Sequence, residues 1–359
     1  MQNPTFAQRA APHLLSLGRG SWQDYVYDGR PYFVYTPANY QVGRAIPLVM
    51  MVHGCLQSPS SFAYDTHMNQ LADQQQFLVV YPQHATLDPG DVNPIMCWNF
   101  FYAVNQYRDS GEAGSLAGIV QEVLQKTSDW TIDRRRIYVA GVSSGAFIAV
   151  ILGATYPDLF AAIGVHSGGE YQWAQLPSPL LQSQASAAVG QAQGPVAIEP
   201  PSDAQFLFHE GTLALATFGP GPDPLEQGQK AYEAMGSFAR VMPTMVLHGT
   251  ADAVAAPING EQAVRQWLRT NQLASQVAFT ATFEHPSSTT ISPAGPQGEW
   301  PYIVFTWQDA SAHDVLAYWR VEGMGHAWSG GSPGRPFTDP RGPNASLAMY
   351  QFFIAHALA

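Results

Sequence analysis

The stretch GVSSGAF, Gly141 to Phe147, stands between RRRIYVA and IAVILGATYPDLF. An apolar strand pattern runs into it and an apolar helix pattern runs out of it, with two serines between two glycines at the junction. A strand that becomes a helix within a few residues makes a sharp elbow. Gly141 and Gly145 leave room where the two backbones crowd, and Ser143 projects its hydroxyl outward from the turn. Ser144 starts the helix, so its backbone N–H is free to meet a developing negative charge at the helix N-terminus. The two serines then have different tasks, Ser143 through its side chain and Ser144 through its backbone. G-x-S-x-G is a short pattern, and a tight turn with no chemistry would also carry it. The partners of Ser143 decide between the two.

A serine hydroxyl is a weak nucleophile near neutral pH. It needs a histidine to take its proton and a carboxylate to orient that histidine. With a serine on such an elbow, the carboxylate and the histidine follow it along the chain in that order. MVLHGTAD (245–252) reads as a strand ending at His248, with Asp252 on the loop beyond. Sites in open α/β sheets lie at the carboxyl ends of strands, which suits Asp252. Asp309 and Asp314 are rivals in less strand-like contexts. Four histidines follow Asp252: His285, His313, His326 and His356. His326 lies in VEGMGHAWSGG, after the strand YWRVEG, with glycines on both sides to let a loop bring an imidazole to a serine. His356 falls inside the C-terminal helix pattern and reads as structural. The second N–H of an oxyanion hole should follow an early strand. In MMVHGCLQ it is the Cys55 backbone N–H, with His53 as a structural support of that loop. HExxH and comparable metal spacings are absent from the sequence, so neither a metal nor another cofactor is expected.

The chain has 359 residues, enough for one large α/β domain or two small ones. Apolar residues make up 46% and charged residues only 12%; lysine occurs just at Lys126 and Lys230. The formal charge of −11 argues against nucleic acid, whose binding needs clustered Lys and Arg. RRR (134–136), the one basic run, reads as a solvated loop end before a strand. No apolar run approaches the ~20 residues of a membrane span. The N-terminal segment has no apolar stretch of signal-peptide length. The scarcity of Lys and the abundance of Gly, Pro, Gln and Ser nevertheless lean toward a secreted or periplasmic protein. Cys55 and Cys97 are the two cysteines, either two thiols or one disulfide. The oligomeric state is not legible.

Apolar strands alternate with helical patterns over most of the length, which predicts a mainly parallel sheet flanked by helices in a single domain over 1–359. YVYDGRPYFVYTP (25–37) reads as a hairpin around Asp28-Gly29. IPLVMMVHG is a buried strand. SFAYDTHMNQLADQQQ is one helix, FLVVYPQ a strand, GEAGSLAGIVQEVLQKT (111–127) a helix and FAAIGVHSG a strand. Residues 170–225, rich in Gln, Ala, Ser, Pro and Gly, read as an irregular insertion, either a lid or a surface excursion. PTMVLHGTAD, EQAVRQWLRTN and VLAYWRVEG resume the alternation, and a last helix starts at Asn344 as N-cap.

With these motifs assembled, the chain resembles the poly(3-hydroxybutyrate) depolymerase-type esterases, α/β-hydrolases related to feruloyl and acetylxylan esterases. The resemblance runs from about residue 30 to the end. It rests on HGCLQSP (53–59), CWNFF (97–101), GEAGSLAGIV (111–120), GVSSGAF, HGTADAVAAP (248–257), and GMGHAWSGG (323–331) followed by GPNASLAMYQFF. It implies the α/β-hydrolase fold, a triad of Ser143, Asp252 and His326, and an oxyanion hole from the N–H groups of Cys55 and Ser144. It also implies a Cys55–Cys97 disulfide near the site, clamping the oxyanion loop to the CWN loop and pointing to an oxidising compartment. Trp98 and Asn99 lie beside that link. An exposed Trp98 would offer an apolar wall to an acyl chain or a sugar; a core Trp98 is the other reading. Trp307 invites the same pair of readings, and Trp328 is expected to pack and hold the His326 loop. Many members carry a linker and a substrate-binding domain that have no counterpart here, and 170–225 matches no family motif.

The expected activity is hydrolysis of short hydroxyalkanoate polyesters or oligoesters through an acyl-enzyme on Ser143. The alternative is a feruloyl or acetylxylan esterase with the same residues. A peptidase of the same fold would need a site for the amine, of which the sequence bears no mark. A non-catalytic binding protein would have no need of Ser143, Asp252 and His326 in matching contexts.

Overall fold

Two seven-residue strands flank Asp28-Gly29 in the computed structural model: β1 (Ser21–Tyr27) and β2 (Arg30–Thr36). They pair antiparallel with Tyr27 opposite Arg30. Asp28 and Gly29 have φ of 46° and 77°, the left-handed pair that a tight two-residue hairpin requires. The structure describes residues 18–84, 96–174, 219–275 and 279–359, with the backbone of two short paired strands at Phe208–His209 and Thr212–Leu213. Most of the 170–225 segment therefore lies outside the described residues.

The hairpin opens a ten-stranded sheet. The next strands are β3 (Ile46–Val52), β4 (Leu78–Pro82), β5 (Ile132–Val142), β6 (Ala162–His166) and β7 (Thr244–Gly249). They are followed by β8 (Ser288–Ser292), β9 (Tyr302–Gln308) and β10 (Asp314–Val321). The spatial order is β1-β2-β4-β3-β5-β6-β7-β10-β9-β8. From β4 to β10 the neighbours run parallel. The antiparallel β1–β2 hairpin extends one side and β9 and β8 extend the other. This is the mainly parallel sheet that the alternating patterns predict.

Both faces of the sheet are covered, so the central strands are apolar throughout. Along β3, Leu48, Met50 and Val52 face one cluster while Val49 and Met51 face the other, the period-two alternation of a strand. The first face packs on α3 (Gly111–Gln125) and α4 (Ser144–Thr155), and on two later helices, Pro224–Met235 and Ile258–Ala274. The second packs on α1 (Pro59–Thr66), α2 (Met68–Gln75) and the C-terminal helix, Ala345–Ile354. Every residue of α4 is buried, which explains why its sequence is apolar on all sides. Asn344 caps the last helix, its side chain accepting from the Leu347 N–H at 2.9 Å.

Two expectations are corrected. SFAYDTHMNQLADQQQ is two helices, not one. His67, at φ 56° and ψ 19°, breaks it, and its Nε2 lies 2.7 Å from Ser332 Oγ of a distant loop. Arg134–Arg136 lie within β5, at its solvent end, instead of in a loop before it. The sequence patterns predict no strand at β8 or β9; β8 is exposed over nearly its whole length, so no buried face leaves its mark on the sequence.

Candidate active site

The parallel strands deliver their carboxyl ends to one edge of the sheet, and the loops that carry Cys55, Ser143, Asp252 and His326 leave the strands there. Ser143 follows β5 at φ 55° and ψ −125°. Its N–H donates to the His166 carbonyl at 3.0 Å, and its own carbonyl accepts from Ala146 and Phe147 at the start of α4. The glycines around it have no room for a side chain. A Cβ on Gly141 would lie 2.2 Å from the Gly145 carbonyl oxygen, and one on Gly145 would lie 2.2 Å from that of Val52. The elbow is thus wedged between β3 and α4 by backbone on both sides. Ser144 is the first residue of α4; a first-turn N–H has no partner within its helix.

The loop after β3 passes directly by the elbow. A Cβ on Gly54 would lie 3.3 Å from the Ser143 Cβ, which places the neighbouring Cys55 beside the turn. Gly54 donates its N–H to Gln57 Oε1 at 2.8 Å. Cys55 and Cys97 form a disulfide, as the resemblance implies. Behind it, Trp98 donates its indole N–H to the His53 carbonyl at 2.9 Å, and Asn99 donates its N–H to Glu112 at 2.8 Å. His53 is a support of this loop, with Nδ1 2.8 Å from the Gly54 carbonyl. Burial, with Arg30 nearby, lowers its pKa to about 4, so it is neutral at neutral pH.

Asp252 and His326 meet because β7 and β10 are sheet neighbours and their exit loops are laced together. Thr250 donates its N–H to Val321, Ala251 to Met324, and Gly323 to Thr250 Oγ1 at 2.9 Å. His326 Nδ1 lies 2.8 Å from Asp252 Oδ2. An ionised carboxylate only accepts, so Nδ1 carries the hydrogen, and in the neutral ring Nε2 is the nitrogen with the lone pair. Asp252 Oδ1 accepts from the N–H groups of Val254 and Ala255, each at 2.9 Å. Burial by itself would raise the Asp252 pKa. Hydrogen bonds from His248 and His326 outweigh it and hold the carboxyl well below the usual range. The rivals sit elsewhere. Asp309 organises an exposed turn through the N–H groups of Ser311 and His313. Asp314 accepts from Gln308 at 2.9 Å. His356 spans two backbone carbonyls, those of Phe352 and Asp314.

The aromatic expectations divide. Trp328 packs as expected, stacked on His166 at 4.9 Å and donating to Ser346 Oγ. Trp98 is 0% exposed and Trp307 1%; the latter donates to the Thr282 carbonyl at 2.7 Å. Of the two readings of Trp98, the exposed apolar wall fails and the core tryptophan holds. Arg30 stacks over its ring at 5.2 Å, so the indole belongs to the core under the Cys55 loop. Asn99 is buried with it.

Sequence reasoning passed over three residues at this edge. His248 Nε2 lies 2.9 Å from the Ala255 carbonyl and 3.4 Å from Asp252 Oδ2. His166 ends β6 with its ring fully buried. Glu170, four residues on, is 1% exposed, and neither of its carboxyl oxygens has a side-chain or neighbouring partner among the described residues. Burial raises its pKa to about 8, with only its own backbone N–H opposing. The available signal was position: both His166 and His248 close apolar strands at the carboxyl edge. Among the described residues no group of His, Cys, Asp and Glu could hold a metal, and no helix is long and apolar enough to cross a membrane.

The esterase PHB depolymerase family model matches residues 30–197, a span that holds Cys55, Cys97, Ser143 and Ser144 and stops before Asp252 and His326. Poly(3-hydroxyalkanoate) depolymerase C of Paucimonas lemoignei is 26% identical over 340 residues, covering 92% of this chain and 67% of that protein. An acetylxylan esterase of Coprinopsis cinerea is 28% identical over 296 residues, covering 82% of this chain and 64% of the other. The poly(3-hydroxybutyrate) depolymerase of Ralstonia pickettii is 32% identical over 174 residues, 44% of this chain and 34% of that one. The chain thus spans about two thirds of the length of the first two relatives and about a third of the third. The solved acetyl xylan esterase from Aspergillus awamori superposes with a TM-score of 0.62 at 22% identity, over 94% of this chain and all of that one. The fold is that of the α/β-hydrolases, and the resemblance read from the motifs holds.

Proposed function

We propose that this chain, similar to the poly(3-hydroxybutyrate) depolymerase-type and acetylxylan esterases, is a serine hydrolase of carboxylic esters, with Ser143, Asp252 and His326 as its triad. The observation that carries the reading is the 2.8 Å His326–Asp252 bond, with the far oxygen of Asp252 held by two backbone N–H groups. An imidazole so oriented presents a basic Nε2 at the sheet edge that bears the Ser143 elbow. His326 Nε2 takes the Ser143 proton as Oγ attacks the ester carbonyl. The N–H groups of Cys55 and Ser144 receive the oxyanion, helped by the positive end of α4. The imidazolium, steadied by Asp252, then protonates the leaving alcohol, and water repeats the cycle on the acyl-enzyme.

The substrates are short hydroxyalkanoate polyesters or oligoesters, supported by the matched family and by the depolymerase relatives. A second reading, an esterase of acetylated xylan, is favoured by the relative that is 28% identical over 296 residues. Feruloyl esters belong to the same second reading. The chain works as one catalytic unit, because one sheet carries all three triad residues. A Cys55–Cys97 disulfide supports a secreted or periplasmic location.

The test is hydrolysis of p-nitrophenyl butyrate, 3-hydroxybutyrate oligomers, amorphous poly(3-hydroxybutyrate), methyl ferulate and acetylated xylan, with Ser143→Ala beside the wild type. Turnover of the hydroxybutyrate substrates, reduced by about 10⁴-fold or more in Ser143→Ala, is expected. Turnover confined to acetylxylan or ferulate would move the protein to the second reading. A wild type that hydrolyses none of these esters would overturn both.

A further inference from the structure

The nucleophile elbow and the histidine loop come from different parts of the chain, and one residue outside the triad is bonded to both, to the first by its backbone and to the second by its ring. His166 ends β6, the strand between β5 and β7. Its carbonyl accepts the Ser143 N–H at 3.0 Å. Its ring Nε2 accepts the Ser329 N–H, also at 3.0 Å. Ser329 stands three residues beyond His326, and Trp328 between them lies stacked on the His166 ring. The Trp328 indole is itself tied to Ser346 Oγ at 3.2 Å.

We propose that His166 is a positioning residue, whose ring holds the His326 loop at a fixed distance from the Ser143 elbow that its own backbone carbonyl anchors. The inference rests on the reading of Ser143 as nucleophile and His326 as base. Because a backbone N–H only donates, His166 Nε2 must keep its lone pair; the ring hydrogen is then on Nδ1, which faces Ser167 Oγ at 3.1 Å. The ring must also be neutral, since an imidazolium would turn a donor toward the Ser329 N–H. The surroundings enforce this. Burial first, then the positive charges that His248 of β7 and His326 can carry, disfavour a charged His166, with Asp252 opposing. A neutral, fully buried, stacked imidazole is a rigid spacer. Losing its far nitrogen leaves the Ser329 N–H without its acceptor and lets the loop, and His326 with it, shift against the serine.

The contact can be read by reach. In His166→Gln the side-chain carbonyl extends to about where Nε2 stood. In His166→Asn the polar group stops near Nδ1, and His166→Leu has none. Asn and Leu both lack the acceptor, so whichever folds reads the contact. Misplacing a catalytic group by about 1 Å costs on the order of 100-fold, so the Asn and Leu variants should lose ~10- to 100-fold in kcat on p-nitrophenyl butyrate. KM should stay within about twofold, because substrate binding is not what the contact serves. Fluorophosphonate labelling of Ser143 should slow in parallel. His166→Gln should recover most of the loss. A melting temperature shared by the Gln and Asn variants, with kcat still different, would separate positioning from general stability. Equal kcat in the two, or a loss carried by KM, would overturn the proposal while wild-type activity leaves the esterase reading intact. A wild type that neither turns over nor labels would instead remove the reading on which the proposal rests.

Discussion

Ser143 is held at φ 55° and ψ −125°, a conformation that costs a residue with a side chain on the order of 1–3 kcal/mol and persists only when its surroundings enforce it. The enforcement comes from Gly141, Gly145 and the His166 carbonyl, and the first two were legible in the sequence because a sharp elbow demands small residues. Glu170 was not legible: a glutamate after a strand gives no sign that it is buried with no hydrogen-bond partner for its carboxyl among the described residues. Its folded pKa of about 8 lies above the ordinary value of 4.5. The folded state thus keeps a proton that the unfolded chain releases, and stability falls as pH rises from about 4.5 to about 8 and is level above that. Glu170→Gln should abolish this slope and gain on the order of 3 kcal/mol at pH 8.5, with little gain near pH 4.5. Urea unfolding of both proteins at the two pH values checks it. An unchanged slope would mean that Glu170 is hydrated or paired in solution.

At the scale of elements, the loop after β3 is built in two layers. The disulfide joins Cys55 to Cys97 across 42 residues of chain, and beneath it Trp98 holds the His53 carbonyl while Glu112 holds the Asn99 N–H. Replacing both cysteines by serine should cost ~2–4 kcal/mol of stability, and should lower kcat more than it raises KM by freeing the Cys55 N–H. Urea unfolding and steady-state kinetics of the double variant, against wild type with and without reductant, test this. Equal kcat would show that the Trp98 layer alone holds the loop. HGC and CWN marked the two loops in the sequence, but which layer Trp98 occupies was open, since a tryptophan beside a site suits a wall or a core equally. The break at His67 and the strands β8 and β9 escaped for related reasons. A left-handed histidine between two helical patterns leaves no periodicity fault, and strands whose two faces are equally exposed leave no alternation.

Across the whole molecule, the site exists because of strand order. Placing β7 beside β10 brings His326 to Asp252 over a separation of 74 residues. Placing β6 beside β5 and under the last loop brings His166 to Ser329 over 163. A third tie, Arg335 to the buried Asp65 at 2.9 Å, spans 270. The C-terminal helix closes the second face: Phe353 is fully buried and stacks on Tyr138 of β5 at 5.0 Å. Phe353→Ala should destabilise the fold by about 3–5 kcal/mol while leaving kcat of the folded fraction unchanged. Calorimetry and active-site titration measure the two, and a fall in kcat per labelled site would show that this face couples to the site. What the sequence determined by itself was local: the elbow, the hairpin at Asp28-Gly29, the Asn344 cap and the two-sided burial of the strands. Each follows from steric and hydrogen-bonding rules that act between near neighbours. The tertiary structure alone decided the burial of Trp98, Trp307 and Glu170 and the double grip of His166. Those depend on which strands lie side by side and which loops cross them, and neither residue type nor periodicity records that.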